Sequence, residues 1–177
     1  ALPGVLAVLT AKDVPINNFG IDIFDQPVLC EDVVRSVGDR VALVIAESEP
    51  IAAKGVALID VVYEDLPILA SPEAALEPGA PVLHPDQESN VLDTFRIRKG
   101  DIEAGFAKAD VIIEETYTMG AQEHVYMQPD AGLAWVDENG KVIVKTAGQW
   151  AHDDRRLIAH CLDLPEDRGQ VIYTYIG

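Results

Sequence analysis

Two clusters of polar side chains in the second half of the chain have the residue types that chemistry at a substrate or cofactor requires. The first is the triplet Gln122-Glu123-His124, whose carboxylate and imidazole could act together as a general base. Such triplets also end ordinary strands, and the residue types alone favour that second interpretation. The other cluster is Gln149, followed by Trp150, and its amide can only donate and accept hydrogen bonds. From these residues alone, no self-contained active site follows.

The remaining histidines and cysteines are better explained as structural or surface residues. His152 and His160 are eight positions apart on a predicted helix, which is two turns and too far for shared metal ligation. Cys161 falls on the apolar side of that helix, where a buried thiol is expected rather than a nucleophile. Neither Cys30 nor Cys161 belongs to a CxxC pair, which excludes a cysteine-ligated zinc or iron–sulfur site built from this chain alone. His84 lies in a proline-rich loop and is given no role.

A predicted hairpin carries both polar clusters, within residues 120–150. Residues 132–136 and 141–146 alternate or run apolar as strands do, and Asn139-Gly140 lies between them. Asn-Gly predicts a two-residue type I′ turn, because both central positions of that turn need a positive φ. Gln122-Glu123-His124 and Gln149 should therefore lie at the end of the hairpin away from its turn.

Composition limits the classes of partner. The chain has 177 residues, 49% of them hydrophobic, and a formal net charge of −17. The negative charge argues against nucleic acid and against an anionic membrane surface as partners. No apolar stretch is long enough to span a bilayer, and no signal peptide precedes the first predicted strand. We therefore expect a cytoplasmic location.

The first half of the chain reads as strands and helices of an α/β module. Residues 4–10 predict a short strand. The apolar run 41–46 predicts a strand buried on both faces, followed by a helix capped by Ser48 and by a third strand at 60–64. The segment 41–64 is then most simply one right-handed parallel β-α-β unit. Ser71 and Pro72 predict a second short helix through residue 76.

The second half follows a linker. Residues 77–90 contain three prolines and no periodicity, which predicts a domain boundary. The strands predicted beyond it are at 91–100, 111–120 and 170–175, and Asp101 is predicted to cap a helix. An amphipathic helix is predicted after Trp150, and Pro165 is predicted to stop it. Its inward-facing residues are Leu157, Ile158, Cys161 and Leu162.

Several segments resemble one known family in order and spacing. PGVLAVLTAKDVP, VGDRVALVIAES and VVYEDLP resemble the hammerhead domain of the molybdenum-binding large subunit in the xanthine dehydrogenase/aldehyde oxidase family. GDIEAGFAKADVIIEETY, QEHVYMQPDAGLAWVDENG and TAGQWAHDDRRLIAHCLDLPEDR resemble the start of that subunit's first cofactor domain. The resemblance implies an α+β fold: an α/β-hammerhead domain over residues 1–80, truncated before Ala1, a linker at 81–90, and the start of a mixed α/β molybdopterin-binding domain over residues 91–177.

The resemblance also implies a site. Family members hydroxylate a carbon of a heteroaromatic ring or an aldehyde with oxygen from water, at a molybdenum that a pterin dithiolene holds without a protein ligand. Gln149 matches the glutamine whose amide approaches the apical molybdenum ligand, and Gln122 and His124 match supporting cofactor-binding residues. No catalytic residue and no metal ligand is expected within this chain. The chain ends at Gly177, where the family continues into a Phe-Gly-Gly loop, and the general base is expected beyond it.

The wider assignment concerns cofactors, partners and substrate. The resemblance implies a molybdenum–molybdopterin cofactor in its cytosine dinucleotide form, with iron–sulfur clusters and FAD on partner domains or subunits. It is nearest to bacterial xanthine dehydrogenases, which predicts a purine or another N-heterocycle as substrate. The segment from Tyr126 to Pro129 and Trp150 depart from the usual pattern, so an aldehyde, carbon monoxide or an N-heterocyclic acid remains an alternative. A non-catalytic scaffold that packs subunits together is the competing class.

Overall fold

The computed structural model describes residues 2–128 and 130–176, so that Ala1, Pro129 and Gly177 lie outside the described residues. The expectations that fall on those three positions are therefore not addressed by it. The described chain mixes helices with two separate sheets, which confirms the predicted α+β class. Its elements are β1 Val5–Leu9, β2 Leu43–Ala46, α1 Glu49–Val56, α2 Pro72–Leu76, α3 Ile102–Ala107, β3 Gly132–Val136, β4 Val142–Thr146, α4 Ala151–Cys161 and β5 Gly169–Tyr173, with 3-10 turns at Ala11–Asp13 and Glu166–Arg168.

The chain divides into two compact units. One unit combines Ala1–Ile68 with Gln128–Gly177, and the other is Leu69–Met127. The first unit contains all five described strands together with α1 and α4, and the second contains α2 and α3.

The first sheet corrects the prediction of a parallel β-α-β unit. β2 pairs antiparallel with β1, with Val8 opposite Val44, and the segment 60–64 forms no strand. The apolar run of β2 correctly indicated a strand, but an apolar run does not indicate which neighbour the strand pairs with. β2 is also not buried on both faces, because Leu43 and Ile45 are exposed.

Helix α1 packs closely on this sheet. A Cβ added at Gly55 would lie 2.8 Å from Cγ1 of Val44, so the helix approaches β2 at a distance that only glycine permits. Ser48 occupies the N-cap position in extended backbone, as predicted, although its side chain makes no capping hydrogen bond. Pro50 follows in the first turn, where its missing N–H costs nothing.

The second sheet has the order β3-β4-β5 and carries the region of interest. β3 and β4 form the predicted antiparallel hairpin, with Trp135 opposite Ile143. β5 then pairs parallel to β4, with Thr146 opposite Tyr173, and α4 is the crossover between them. A β-α-β unit is thus present, but it lies in this part of the chain rather than in the first half.

The hairpin turn differs from the predicted type I′ turn. Gly140 has φ +75°, but Asn139 does not have a positive φ, and Gly140 N–H donates to the Asp137 carbonyl at 3.0 Å. The Asp137 carboxylate explains the difference, because it accepts hydrogen bonds from the backbone N–H groups of Lys141 at 2.7 Å and Asn139 at 2.9 Å. The bond from Lys141 lowers the pKa of that carboxyl. An aspartate before the Asn-Gly pair therefore selects a longer connection.

Helix α4 ends before Pro165, which corrects the predicted stop. Asp163 adopts φ +54°, and Leu164 N–H donates to the Ala159 carbonyl while Asp163 N–H donates to the His160 carbonyl, both at 2.9 Å. These two bonds form a Schellman motif, which satisfies the last carbonyls of the helix. Leu162 was predicted to face inward but is exposed, because it lies at the C-cap, where the backbone leaves the helical path.

The Asp163→Gly substitution should stabilise the end of α4. A left-handed conformation is strained for an aspartate and free of strain for glycine, so we expect a gain of about 0.5–1 kcal/mol. The N–H of Leu164 makes the capping bond. Its hydrogen exchange in the intact protein should therefore slow by about two- to fivefold. The Asp163→Ala variant is the matched control, since it removes the same carboxylate but keeps the strained Cβ. Equal protection in both variants would contradict the role of the left-handed cap.

The Leu69–Met127 unit confirms the two predicted helix caps. Ser71 Oγ accepts from the N–H of Ala74 at 3.2 Å, and Asp101 Oδ1 accepts from the N–H of Ala104 at 3.0 Å. Within the same unit, the predicted strands at 91–100 and 111–120 do not form. A strand needs a neighbour to pair with, and the described residues of this unit offer none.

The helices of the described residues are short. The longest, α4, has 11 residues, and none of the helices in residues 2–128 and 130–176 combines the length and apolar character needed to cross a membrane.

Candidate functional site

Gln149 lies in the four-residue loop that connects β4 with α4. The loop is fixed at both ends: Thr174 N–H donates to the Thr146 carbonyl at 2.8 Å, and Asp154 N–H donates to the Trp150 carbonyl at 2.9 Å. The Gln149 side chain is exposed, and within residues 2–128 and 130–176 its amide makes no hydrogen bond. The loop backbone is therefore held in place by β4 and α4. The side-chain amide of Gln149 has no hydrogen-bond partner among the described residues.

Tyr173, at the end of β5, lies directly against this loop. A Cβ added at Gly148 would be 2.7 Å from both Cζ and the hydroxyl oxygen of the Tyr173 ring. The same hydroxyl donates a hydrogen bond to the Asp154 carboxylate in the first turn of α4. Burial, followed by this carboxylate, raises the pKa of the Tyr173 hydroxyl, so it stays protonated and able to donate.

Gln122 and His124 lie in an exposed segment without helix or strand. Gln122 Nε2 donates to the Glu123 carbonyl at 3.3 Å. Glu123 Oε1 accepts from the backbone N–H groups of His124 at 3.0 Å and Val125 at 3.3 Å. Val125 has φ +55°, which is rare for a β-branched residue. In the described residues the Glu123 carboxylate thus holds its own backbone and does not pair with the imidazole.

The structure assigns the predicted cofactor-binding residues to different units. Gln149 belongs to the unit that contains Gln128–Gly177, whereas Gln122 and His124 belong to Leu69–Met127. A shared site for these three residues therefore stays a prediction.

Helix α4 packs on its far end against the loop of residues 16–26. Asn18 makes two contacts with the helix: its Oδ1 lies 3.1 Å from His160 Nε2, and its carbonyl accepts from Cys161 Sγ at 3.6 Å. The Phe24 and His160 rings lie 4.7 Å apart. Burial raises the pKa of the Cys161 thiol, which disfavours the reactive thiolate. His160 and Cys161 are therefore packing residues, as the sequence indicated.

Two further hydrogen bonds join α4 to the loop of residues 16–26. Ile16 N–H donates to the Cys161 carbonyl at 3.2 Å, and Arg156 Nη2 donates to the Ile21 carbonyl at 3.4 Å.

The described residues do not themselves form a metal site. Among residues 2–128 and 130–176, no group of three or more His, Cys, Asp and Glu side chains is placed to hold a metal ion. The exposed side-chain amide of Gln149 can donate and accept hydrogen bonds, so it could contact a bound group without adding charge beside it.

Sequence reasoning missed Tyr173 and its contact with Gly148. Asp154 lies in the first turn of α4, where the helix dipole favours an acid, and that position alone does not predict a bond to Tyr173. The pairing of these residues depends on the parallel register that sets Tyr173 opposite Thr146, and no local pattern indicates that register. A glycine at position 148 is compatible with such a close approach, but a glycine alone does not predict one.

Two family models match the chain. One is the molybdopterin cofactor-binding domain over residues 83–177, and the other is the hammerhead domain of aldehyde oxidase and xanthine dehydrogenase over residues 1–67. Together they account for both halves of the sequence.

Individual relatives agree with the family models. A probable xanthine dehydrogenase subunit of Bacillus subtilis (strain 168) is 43% identical over 177 residues, covering 99% of this chain and 24% of the relative. The nicotinate dehydrogenase large molybdopterin subunit of Eubacterium barkeri is 34% identical, covering 100% of this chain and 41% of the relative. The solved structure of the aldehyde oxidoreductase from Desulfovibrio gigas superposes with a TM-score of 0.84 at 31% identity, covering 98% of this chain and 20% of that one. The chain thus spans less than half the length of each.

Proposed function

We propose that this chain forms part of a molybdenum hydroxylase. The premise is that the chain belongs to the xanthine dehydrogenase/aldehyde oxidase family of molybdenum-binding subunits. The reaction replaces a carbon–hydrogen bond of a purine or other N-heterocycle with a carbon–oxygen bond, takes the oxygen from water, and releases two electrons and two protons. The observation that carries the proposal is the exposed amide of Gln149, which makes no hydrogen bond within the described residues and lies on a fixed loop inside the segment that matches the cofactor-binding domain.

Gln149 has the chemistry that such a cofactor needs from the protein. A molybdenum–molybdopterin cofactor, which we propose to be the cytosine dinucleotide form, supplies the two-electron oxidation when bound. The Gln149 amide would donate a hydrogen bond to the cofactor without adding charge beside the metal. Gln122 and His124 are proposed as supporting cofactor-binding residues. The general base is proposed to lie beyond Gly177.

The domain organisation belongs to the same proposal. We assign residues 1–80 to the hammerhead domain, 81–90 to a linker and 91–177 to the start of the cofactor-binding domain, with support from the matches at 1–67 and 83–177.

The released electrons require acceptors, which we propose to be iron–sulfur and FAD partner subunits. A cytoplasmic location is proposed as well, and the free thiols of Cys30 and Cys161 suit a reducing compartment.

Metal and substrate analysis of the intact enzyme tests this function. Purified with its partner subunits, it should contain stoichiometric molybdenum and a pterin dinucleotide. It should also transfer ¹⁸O from labelled water to xanthine or nicotinate. An intact protein without molybdenum would contradict the proposal and favour the scaffold class.

An aldehyde is the second candidate substrate. The similarity to the Desulfovibrio gigas aldehyde oxidoreductase supports it, at 31% identity across nearly the whole chain. The nicotinate and xanthine dehydrogenase relatives support an N-heterocycle instead. A comparison of kcat/KM for xanthine, nicotinate, a simple aldehyde and carbon monoxide on one preparation separates these substrates. The highest value for the aldehyde would replace the N-heterocycle assignment while leaving the molybdenum chemistry in place.

A further inference from the structure

Tyr173 contacts both the Gln149 loop and the first turn of α4. Its ring fills the space in front of Gly148, where an added Cβ would lie only 2.7 Å from ring atoms. Its hydroxyl donates to the Asp154 carboxylate, one turn into α4. Gly148, directly before Gln149, and Asp154, in the first turn of α4, are therefore both in contact with one side chain.

Asp154 connects this tyrosine to the helix. Its backbone N–H donates to the Trp150 carbonyl at 2.9 Å, while its carboxylate accepts from Tyr173. Asp154 thus bonds to the loop through its main chain and to β5 through its side chain. Since Tyr173 is itself fixed by the parallel pairing with Thr146, the loop backbone is bound to both strands and to α4.

We propose that Tyr173 and Asp154 are positioning residues for Gln149, and that they hold the backbone on either side of it so that its amide has one orientation. This inference rests on the proposed function of Gln149 and adds two residues to it. Neither residue touches the reacting atoms, and each acts through the loop. Precise placement matters because a displacement of about 1 Å at a reacting centre can cost about 100-fold in rate.

The test is a double-mutant cycle in the intact molybdenum enzyme. Tyr173→Phe keeps the ring against Gly148 and removes only the hydroxyl. We expect kcat to fall by about 5- to 20-fold, consistent with the loss of one hydrogen bond to a charged group, while KM changes by less than about twofold. In a background of Gln149→Ala, the same change should have almost no further effect, because there is no amide left to position. Tyr63→Phe, at an exposed tyrosine of the first half, is the matched control and should leave kcat unchanged.

A second readout does not depend on turnover. Amide hydrogen exchange of residues 147–151 should become faster in Tyr173→Phe and in Asp154→Ala than in the unsubstituted enzyme. Asp154→Asn should restore most of the protection and most of kcat, because its amide oxygen still accepts the hydroxyl hydrogen bond.

The outcomes separate this inference from the proposed function. Suppose that Gln149→Ala lowers kcat and that Tyr173→Phe lowers kcat by the same factor with and without Gln149. The positioning role is then wrong, while the function of Gln149 stands. The same conclusion follows if Tyr173→Phe speeds exchange without lowering kcat. Unchanged exchange and kcat in Tyr173→Phe would also overturn the positioning role. If Gln149→Ala has no effect on an active, molybdenum-containing enzyme, the proposed role of Gln149 is wrong, and the inference falls with it.

Discussion

Replacing Gln149 with alanine in the intact enzyme is expected to lower kcat by about 10- to 100-fold. A preorganised hydrogen-bond donor near developing charge typically contributes about that much or more to the rate. The amide is exposed and makes no hydrogen bond within the described residues, so its removal leaves no protein group unpaired. We therefore expect the melting temperature and the molybdenum content to stay close to those of the unsubstituted enzyme.

Steady-state kinetics, with metal analysis on the same preparation, measures this effect. Gln87→Ala is the matched control, since Gln87 is also an exposed loop glutamine but lies in the linker segment. If Gln149→Ala retains full kcat at full molybdenum occupancy, Gln149 does not act at the site. If kcat falls only in proportion to lost molybdenum, the residue contributes to cofactor retention rather than to turnover.

The Gly148→Ala substitution is expected to have the second large effect, through packing rather than through lost chemistry. Gly148 does not have a positive φ, so its backbone would accept alanine, but the new Cβ would overlap the Tyr173 ring at 2.7 Å. The ring is held by Asp154 and by β5, and the loop must therefore move instead. Overpacking of this kind costs about 1–3 kcal/mol of stability. Because the loop carries Gln149, kcat should fall by at least as much as in Gln149→Ala.

Thermal unfolding and kcat together check this prediction. Gly105→Ala is the control, because Gly105 lies in α3 with open space around it and should be neutral or slightly stabilised by alanine. Combining Gly148→Ala with Tyr173→Ser removes the overlap and should recover stability while kcat stays low. Recovery of both quantities would argue that Tyr173 has no positioning role.

The sequence predicted best those elements that local chemistry determines. Ser71 and Asp101 each cap a helix through one side-chain oxygen and a backbone N–H three residues later, and that interaction is complete within a few residues. The hairpin was likewise predicted from adjacent residues. The turn type was predicted wrongly, because the Asp137 carboxylate accepts hydrogen bonds from the backbone N–H groups of Asn139 and Lys141. These bonds favour a turn other than type I′.

Predictions that needed a distant partner were weaker. The segments 60–64, 91–100 and 111–120 have the composition of strands but form none, since pairing is decided by residues far away in sequence. Gln149 is predicted as a site residue from the resemblance to a known family and not from its residue type. The role proposed for Tyr173 could not be predicted, because its contact with Gly148 depends on the register between β4 and β5.

The contact between α4 and the loop of residues 16–26 also limits how this protein can change over generations. Asn18 and Phe24 lie in the segment that matches the hammerhead model, whereas His160 and Cys161 lie in the segment that matches the cofactor-binding model. A recombination event that exchanged only residues 1–67 with a distant relative would separate residues that fit one another. We expect the two segments to be inherited together, or to exchange only between relatives that keep this interface.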